Sequence, residues 1–247
     1  MSYKEKNVWI IGASSGIGLA LAHELARRGA RLALSARRQD ALDNLKNKLG
    51  PTHVSFPLDV TDASAFTKTA SDVKNNLGQL DHVINLSAIY TPSSLANMNL
   101  VDARQIVDVN LMGTINTLHV VLPILRTQRS GQIALCGSVA GYRGLPNAQP
   151  YAATKAAVIN LAETARLEET KNGIDVRVIN PGFVRTPMTD KNSFSMPMMI
   201  SPEEAAQSIA DGLLASSFEV HFPKKFTWIM KIVKIIPDRL YFRLFRR

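Results

Sequence analysis

WIIGASSGIGLALAHELARRGA, residues 9–30, decides how this chain is read. An apolar run over 9–11 meets a glycine-rich turn, and a helical pattern of apolar residues follows it. Each of the three glycines has a physical use. Gly12, without a Cβ, suits a tight turn directly after a strand. Gly16 lets the backbone approach a pyrophosphate, and Gly18 lets a helix pack close to a sheet. The helix N-terminus then offers free N–H groups and the positive end of its dipole. With Ser14, Ser15 and Ile17 these glycines form a candidate phosphate-binding set. Alone, the trio could also be a plain strand-to-helix turn.

Outward from this turn, short apolar runs alternate with helical patterns. Strands are expected at 8–11, 31–35, 54–57, 82–86, 132–136, 175–179 and 219–222. Helices are expected near 16–29, 38–49, 62–77, 102–128, 150–171 and 202–215, the last opening on the cap Ser201-Pro202-Glu203-Glu204. Strands alternating with helices of ten or more residues imply βαβ units, a parallel sheet and helices on both faces. The expectation is one α/β domain over 1–222, followed by a tail over 223–247. With 247 residues, 46% of them apolar, the chain can bury a large single core.

The single cysteine, Cys136, excludes a disulfide framework and points to a reducing compartment. No Cys/His cluster suggests a metal. The N-terminus has no secretory pattern, and no uninterrupted apolar run reaches spanning length. A cytoplasmic protein, peripheral on the inner membrane face, is the expectation. The net charge of +9 belongs to the tail: residues 223–247 hold eight Lys/Arg against Asp238, a net of +7.

Three strand ends carry candidate binding residues, because open parallel sheets place ligands at the carboxyl ends of their strands. After the second strand, Arg37 and Arg38 stand where an acid would take a ribose 2′-hydroxyl. A forked guanidinium suits a 2′-phosphate instead, so NADP(H) is favoured over NAD(H). A solvated helix start is the bland alternative. After the third strand, Asp59 and Val60 suit an adenine edge, although Asp59 could equally cap the next helix. After the fourth come Asn85 and Ser87.

GSVAGYRGLPNAQPYAATK, residues 137–155, is the most informative stretch. Tyr151 and Lys155 are four apart and so share a helix face. Ser138 lies 13 residues before Tyr151, just after a strand, and Asn110 sits further back in a helical pattern. With GASSGIG (12–18), NLSA (85–88) and PGFVRTP (181–187), these residues resemble the short-chain dehydrogenase/reductase family over nearly 6–222. The resemblance implies a Rossmann-like, doubly wound parallel sheet of seven strands. It also implies a nicotinamide cofactor and an Asn–Ser–Tyr–Lys tetrad.

In that reading Tyr151 is the acid/base, and Lys155, beside the positive nicotinamide, lowers its pKa and holds the ribose hydroxyls. Ser138 polarises the substrate carbonyl, and Asn110 holds a relay water. Pro181, Gly182, Val184 and Thr186 fix the carboxamide. Two departures stand out. Ile11 occupies a position where the family prefers Thr, and Leu86 and Ala88 alter the usual Asn-Asn-Ala-Gly. Outside the resemblance, Tyr151 could be a core aromatic and Lys155 a surface charge.

The segment MTDKNSFSMPMMIS, 188–201, is flexible and apolar. Met188, Phe194 and Met198, with Ser138 and Tyr151, are the candidate contacts for an apolar carbonyl or alcohol substrate. A lid that only packs on its own body is the alternative. In the tail, Lys224, Thr227, Lys231 and Lys234 share one helical face, while Phe226, Ile229, Met230, Val233 and Ile236 share another. After Pro237, Arg239, Arg243, Arg246 and Arg247 accompany Leu240, Tyr241, Leu244 and Phe245. This pattern suits an interfacial helix on an anionic membrane, or else an arm on a partner subunit. No nucleic-acid partner is expected. A homodimer or homotetramer through 102–128 and 150–171 is.

The reading is therefore an NADP(H)-dependent oxidoreductase interconverting a ketone and a secondary alcohol. An NADP-binding regulatory or membrane-associated scaffold with lapsed chemistry is the competing account. An epimerase or dehydratase on nucleotide sugars is disfavoured by the glycine spacing and the short chain.

Overall fold

A computed structural model of the chain describes residues 2–246. The strands are β1 (Asn7–Ile11), β2 (Arg31–Ala36), β3 (Val54–Pro57), β4 (His82–Asn85), β5 (Gly131–Cys136), β6 (Ile174–Pro181) and β7 (Glu219–Phe222). All pair in parallel, in the order β3-β2-β1-β4-β5-β6-β7. Ile10 stands opposite Leu34 on one side and Ile84 on the other. The order reverses between β1 and β4, which opens a crevice at their carboxyl ends, after Ile11 and Asn85.

The strands form where they do because both faces are covered. Val8, Trp9, Ile10 and Ile11 are all fully buried, so the run is apolar throughout rather than alternating. Helices α1 (Gly16–Arg27), α2 (Gln39–Leu49) and α7 (Pro202–Leu214) cover one face through Leu21, Leu25, Leu42, Leu45, Ile209 and Leu213. Helices α3 (Ala63–Leu77), α5 (Gly113–Gln128) and α6 (Tyr151–Glu169) cover the other through Phe66, Val73, Val121, Leu125, Val158 and Ala162. The expected cap at Ser201 is a full capping box with Glu204.

One expectation is corrected. The helix expected over 102–128 is two helices, α4 (Leu100–Val107) and α5, joined by a π-helical turn at Asp108–Met112 that contains Asn110. The widened turn coincides with a tertiary demand: the Asn110 side chain is bonded to Ile89, well outside its own helix. By length and composition the continuous stretch Leu100–Gln128 could cross a membrane. Its Val109, Val120, Val121 and Leu125 pack in the core instead.

After β7 the chain continues into α8 (Lys224–Ile235) and α9 (Asp238–Phe245). Here neither expected face is kept whole. Phe226 and Met230 pack against the core and Thr227 is fully buried, while Lys224, Lys234 and Ile229 stay exposed. Lys231 pairs with Glu219 of β7 at 2.6 Å. The exposed side carries Trp228, Ile229, Ile232 and Ile235. The helix carries apolar residues on more than one side, and the core takes the side with Phe226 and Met230. Arg247, expected among the basic tail residues, lies outside the described residues.

Candidate active site

The crevice at the switch point is a cleft of about 600 Å³. The glycine turn forms its floor. Gly12 has φ +91°, and a Cβ there would lie 2.8 Å from the Ser87 backbone nitrogen. Gly16 has φ +53°. At Gly18 the constraint is packing, since a Cβ would collide with the Gly12 carbonyl. Ser15 is the N-cap of α1, but its hydroxyl makes no cap bond, so the first N–H groups of the helix keep no side-chain partner. Ser14, Ser15 and Ile17 line the same wall.

Ile11 does not weaken this turn. The amides of Gly12 and Ala13 both donate to the Ser35 carbonyl, at 2.7 and 3.1 Å, and Leu86 N donates to the Ile11 carbonyl at 2.8 Å. Backbone bonds brace the turn without a Thr hydroxyl. The departures at Leu86 and Ala88 are likewise absorbed. Asn85 Oδ1 accepts from Ser87 N at 2.9 Å and from Ser87 Oγ at 2.5 Å, while its Nδ2 donates to Thr117 Oγ1 at 2.8 Å.

Ser138, Tyr151 and Lys155 converge on the cleft. Ser138 follows β5 and caps a short helical turn by accepting from Ala140 N at 3.1 Å. Tyr151 opens α6, and Lys155 is one turn on, 1% exposed. The approach of α6 to the Ser138 turn requires Gly141, where a Cβ would lie 2.7 Å from the Ala156 amide. Burial pushes the Lys155 ammonium below its ordinary range. Burial also pushes the Tyr151 phenol well up, with Cys136 and Tyr90 adding to the rise and the Ser138 hydroxyl pulling back. The lowering of Tyr151 expected from Lys155 is therefore not produced by the chain alone. Lys155 Nζ donates instead to the Cys136 carbonyl at 2.7 Å.

Arg37 and Arg38 stand exposed at the rim of the cleft, and Arg38 Nη2 reaches the Ser14 carbonyl at 3.3 Å. Asp59 and Val60 line the adjoining wall. Asp59 is not the helix cap, because that role belongs to Asp62, which accepts from Ser64 N and Ala65 N. Asp59 Oδ1 accepts instead from Thr61 N and Oγ1. Pro181, Gly182, Val184, Thr186 and Met188 close the opposite side.

Four expected site residues do not line the cleft. Asn85 is buried and spent on Thr117 and Ser87. Asn110 is fully buried, and its amide bonds both backbone groups of Ile89 and Thr154 Oγ1, so its side chain ties Ile89 to α6 behind the cleft. Phe194 packs edge-on against Phe183 at 6.0 Å and is half exposed. Met198, at φ +57°, is also half exposed. These two residues project from the segment after Thr186 instead of turning inward.

Sequence reasoning missed Tyr90 and Thr189. The Tyr90 ring packs edge-on against Tyr151 at 5.0 Å, and its hydroxyl donates to Asn192 Oδ1 at 2.9 Å. An aromatic five residues after Asn85, beyond the fourth strand, was the available signal. Thr189 lines the cleft, and its Oγ1 donates to the Val184 carbonyl at 2.7 Å and accepts from Thr186 N at 2.9 Å. It staples the turn that closes the cleft.

The chain matches the family model for short chain dehydrogenases over residues 6–196. It is 32% identical, over 100% of its length and 98% of the relative, to an uncharacterized oxidoreductase of Myxococcus xanthus. It is 32% identical to carbonyl reductase family member 4 of Xenopus laevis, over 81% of this chain and 87% of that one. A short chain dehydrogenase of Burkholderia cenocepacia, solved in complex with NADP, superposes with TM-score 0.87 at 25% identity and covers 99% of both chains. One from Burkholderia phymatum, solved with NAD, shares the fold at TM-score 0.86 and 21% identity, over 94% of this chain and 93% of that one. The glycine turn, the Ser138–Tyr151–Lys155 cluster and these matches together place the chain in the short-chain dehydrogenase family of oxidoreductases.

Proposed function

We propose that the chain is an NADP(H)-dependent oxidoreductase that interconverts a ketone and a secondary alcohol on an apolar, lipid-like substrate. The observation that carries it is the convergence of Ser138, Tyr151 and Lys155 on a cleft floored by a glycine turn. The residues fit a nicotinamide dinucleotide. The uncapped N–H groups of α1 suit a diphosphate. Arg37 and Arg38, with no acid at the end of β2, suit a 2′-phosphate. The NADP bound by the Burkholderia cenocepacia relative supports the same choice.

Bound in the cleft, the nicotinamide supplies or accepts the hydride. The chain's own residues handle the oxygen. Ser138 donates a hydrogen bond to the substrate carbonyl and polarises it. Tyr151 gives its proton to the developing alkoxide during reduction and takes it back in oxidation. Lys155, one turn away and buried, places a positive charge where a phenolate would form. Asn110 and Thr154 hold Ile89 and α6 at fixed separation, so the oxygen-binding groups keep their geometry.

Ile89, Val184 and Met188 supply apolar wall, and the Tyr90 ring backs the Tyr151 ring. The name of the Xenopus relative favours carbonyl reduction as the direction. A panel of ketones graded from short to long and apolar, followed by NADPH absorbance beside NADH, tests the reading. Turnover with NADPH that rises with apolar length is expected. No turnover on any member, or a preference for NADH, overturns it.

A further inference from the structure

The exposed side of α8 and the basic residues around it belong to no part of the cleft. Trp228, Ile229, Ile232 and Ile235 fall at i, i+1, i+4 and i+7, one continuous helical face. They are 57%, 49%, 59% and 77% exposed. On α9, Leu240, Phe242, Leu244 and Phe245 are exposed as well. A soluble surface rarely leaves so many large apolar side chains together without something to cover them.

The body holds these helices in a defined pose. Arg143 sits on the loop between Ser138 and Tyr151. It donates from Nη1 to the Lys234 and Ile236 carbonyls, each at 3.0 Å, and from Nη2 to Asp238 at 2.6 Å. Its guanidinium lies 4.3 Å from the Tyr241 ring centroid. The Tyr241 hydroxyl donates to the Gly144 carbonyl. Thr227 Oγ1 and His221 Nδ1 are bonded at 2.6 Å beneath α8. The apolar face therefore points outward because its inner side is pinned, not because the tail is loose.

Charge selects the occupant. The single acid of the tail, Asp238, is taken by Arg143. Lys224, Lys225, Arg239, Arg243 and Arg246 have no acidic partner among the described residues. A second copy docking face to face would bring two such clusters together with no acid to relieve them. An anionic lipid surface satisfies both features at once, taking the apolar side chains at the acyl boundary and the cations at the headgroups.

We propose that the outer face of α8–α9 docks on an anionic lipid surface. The inner side of α8, opposite this face, packs toward the segment after Thr186. Phe226, on α8, lies 5.1 Å ring to ring from Phe183, which in turn packs on Phe194. The docking does not rest on the proposed reaction.

The test uses the full chain with vesicles of phosphatidylglycerol and phosphatidylcholine in equal parts, and with phosphatidylcholine alone. Trp228 reports directly, since the other tryptophan, Trp9, is fully buried. The full chain is expected to bind the mixed vesicles and not the neutral ones, with a blue shift of Trp228 emission and quenching by brominated lipid. The double variant I232E/I235E is expected to bind about tenfold or more weakly, with an unchanged melting temperature and unchanged NADPH binding. R239Q/R243Q is expected to weaken binding and flatten its dependence on salt. Absence of binding to the mixed vesicles overturns the proposal, as does binding that I232E/I235E leaves intact. A dimer that I232E/I235E converts to monomer, without vesicle binding, overturns it in favour of a subunit interface. Vesicle binding without ketone turnover supports docking and counts only against the reaction.

Discussion

The Lys155 ammonium lies 5.6 Å from the centroid of the Tyr151 ring and donates to the Cys136 carbonyl. Lys155 is therefore no hydrogen-bond partner of the phenol, and in the proposed reaction it serves through space, as a charge. Replacing it with an isosteric apolar chain removes the charge and keeps the packing. Lys155→Met is expected to slow ketone reduction by about 10²–10⁴-fold. Its melting temperature should change little, because the lost bond to Cys136 is offset by a buried charge no longer desolvated. Steady-state rates beside a thermal melt check both halves.

In the proposed reading, specificity for the 2′-phosphate rests on the rim residues Arg37 and Arg38. Charge-assisted hydrogen bonds contribute about 1.5–3 kcal/mol each. The double variant R37A/R38A is expected to lose about 10²–10⁴-fold in NADPH affinity while NADH affinity stays nearly constant. Titration of both coenzymes against both proteins reads the ratio. A parallel loss of NADH affinity would mean that these residues serve the whole dinucleotide.

Gly18 is irreplaceable for a packing reason, since a Cβ would strike the backbone carbonyl of Gly12. Backbone cannot swing aside as a flexible side chain can. Gly18→Ala is expected to cost about 1–3 kcal/mol of stability and to abolish NADPH binding by displacing the turn. Gly144 meets nothing within 4 Å of an added Cβ. Gly144→Ala should be neutral in both measurements and serves as the control.

Much of this arrangement is legible in the sequence. The seven strands read as short apolar runs because each is covered on one or both faces, and the Tyr151–Lys155 pair reads from helical spacing alone. What the sequence hides is set at a distance. The π-helical turn around Asn110 goes with bonds to Ile89, 21 positions earlier, which local periodicity does not carry. Asn85 stands at a strand end where ligands bind, yet its amide is consumed by Thr117 and Ser87. Phe194 and Met198 are apolar and follow the cofactor segment, but composition does not say that they project outward. In α8 apolar residues fall on more than one side, Phe226 and Met230 on one and Trp228, Ile232 and Ile235 on another, and only the core's fit to Phe226 and Met230 decides between them.

His221 supplies a pH dependence. Burial, then Lys224 and Lys231, hold its pKa down to about 4, against a pull upward from Glu219. The unfolded chain, with an ordinary value near 6.5, therefore binds a proton that the folded chain refuses between those limits. Stability should fall as pH drops from about 6.5 toward 4. His221→Asn should be less steep over the same window, leaving the slopes of His53 and His82 and, toward pH 4, those of Glu24, Glu169, Glu204 and Glu219, whose pKa values are also lowered. Denaturant midpoints collected across that range give the two slopes.

The central claim is that Tyr151 carries the proton for a hydride transfer in this cleft. The most direct measurement is ketone reduction by Tyr151→Phe, followed through NADPH absorbance, with NADPH affinity measured on the same sample. The account predicts that reduction falls by about 10²–10⁴-fold or more while NADPH binds as tightly as before. Reduction that persists at the wild-type rate would contradict it.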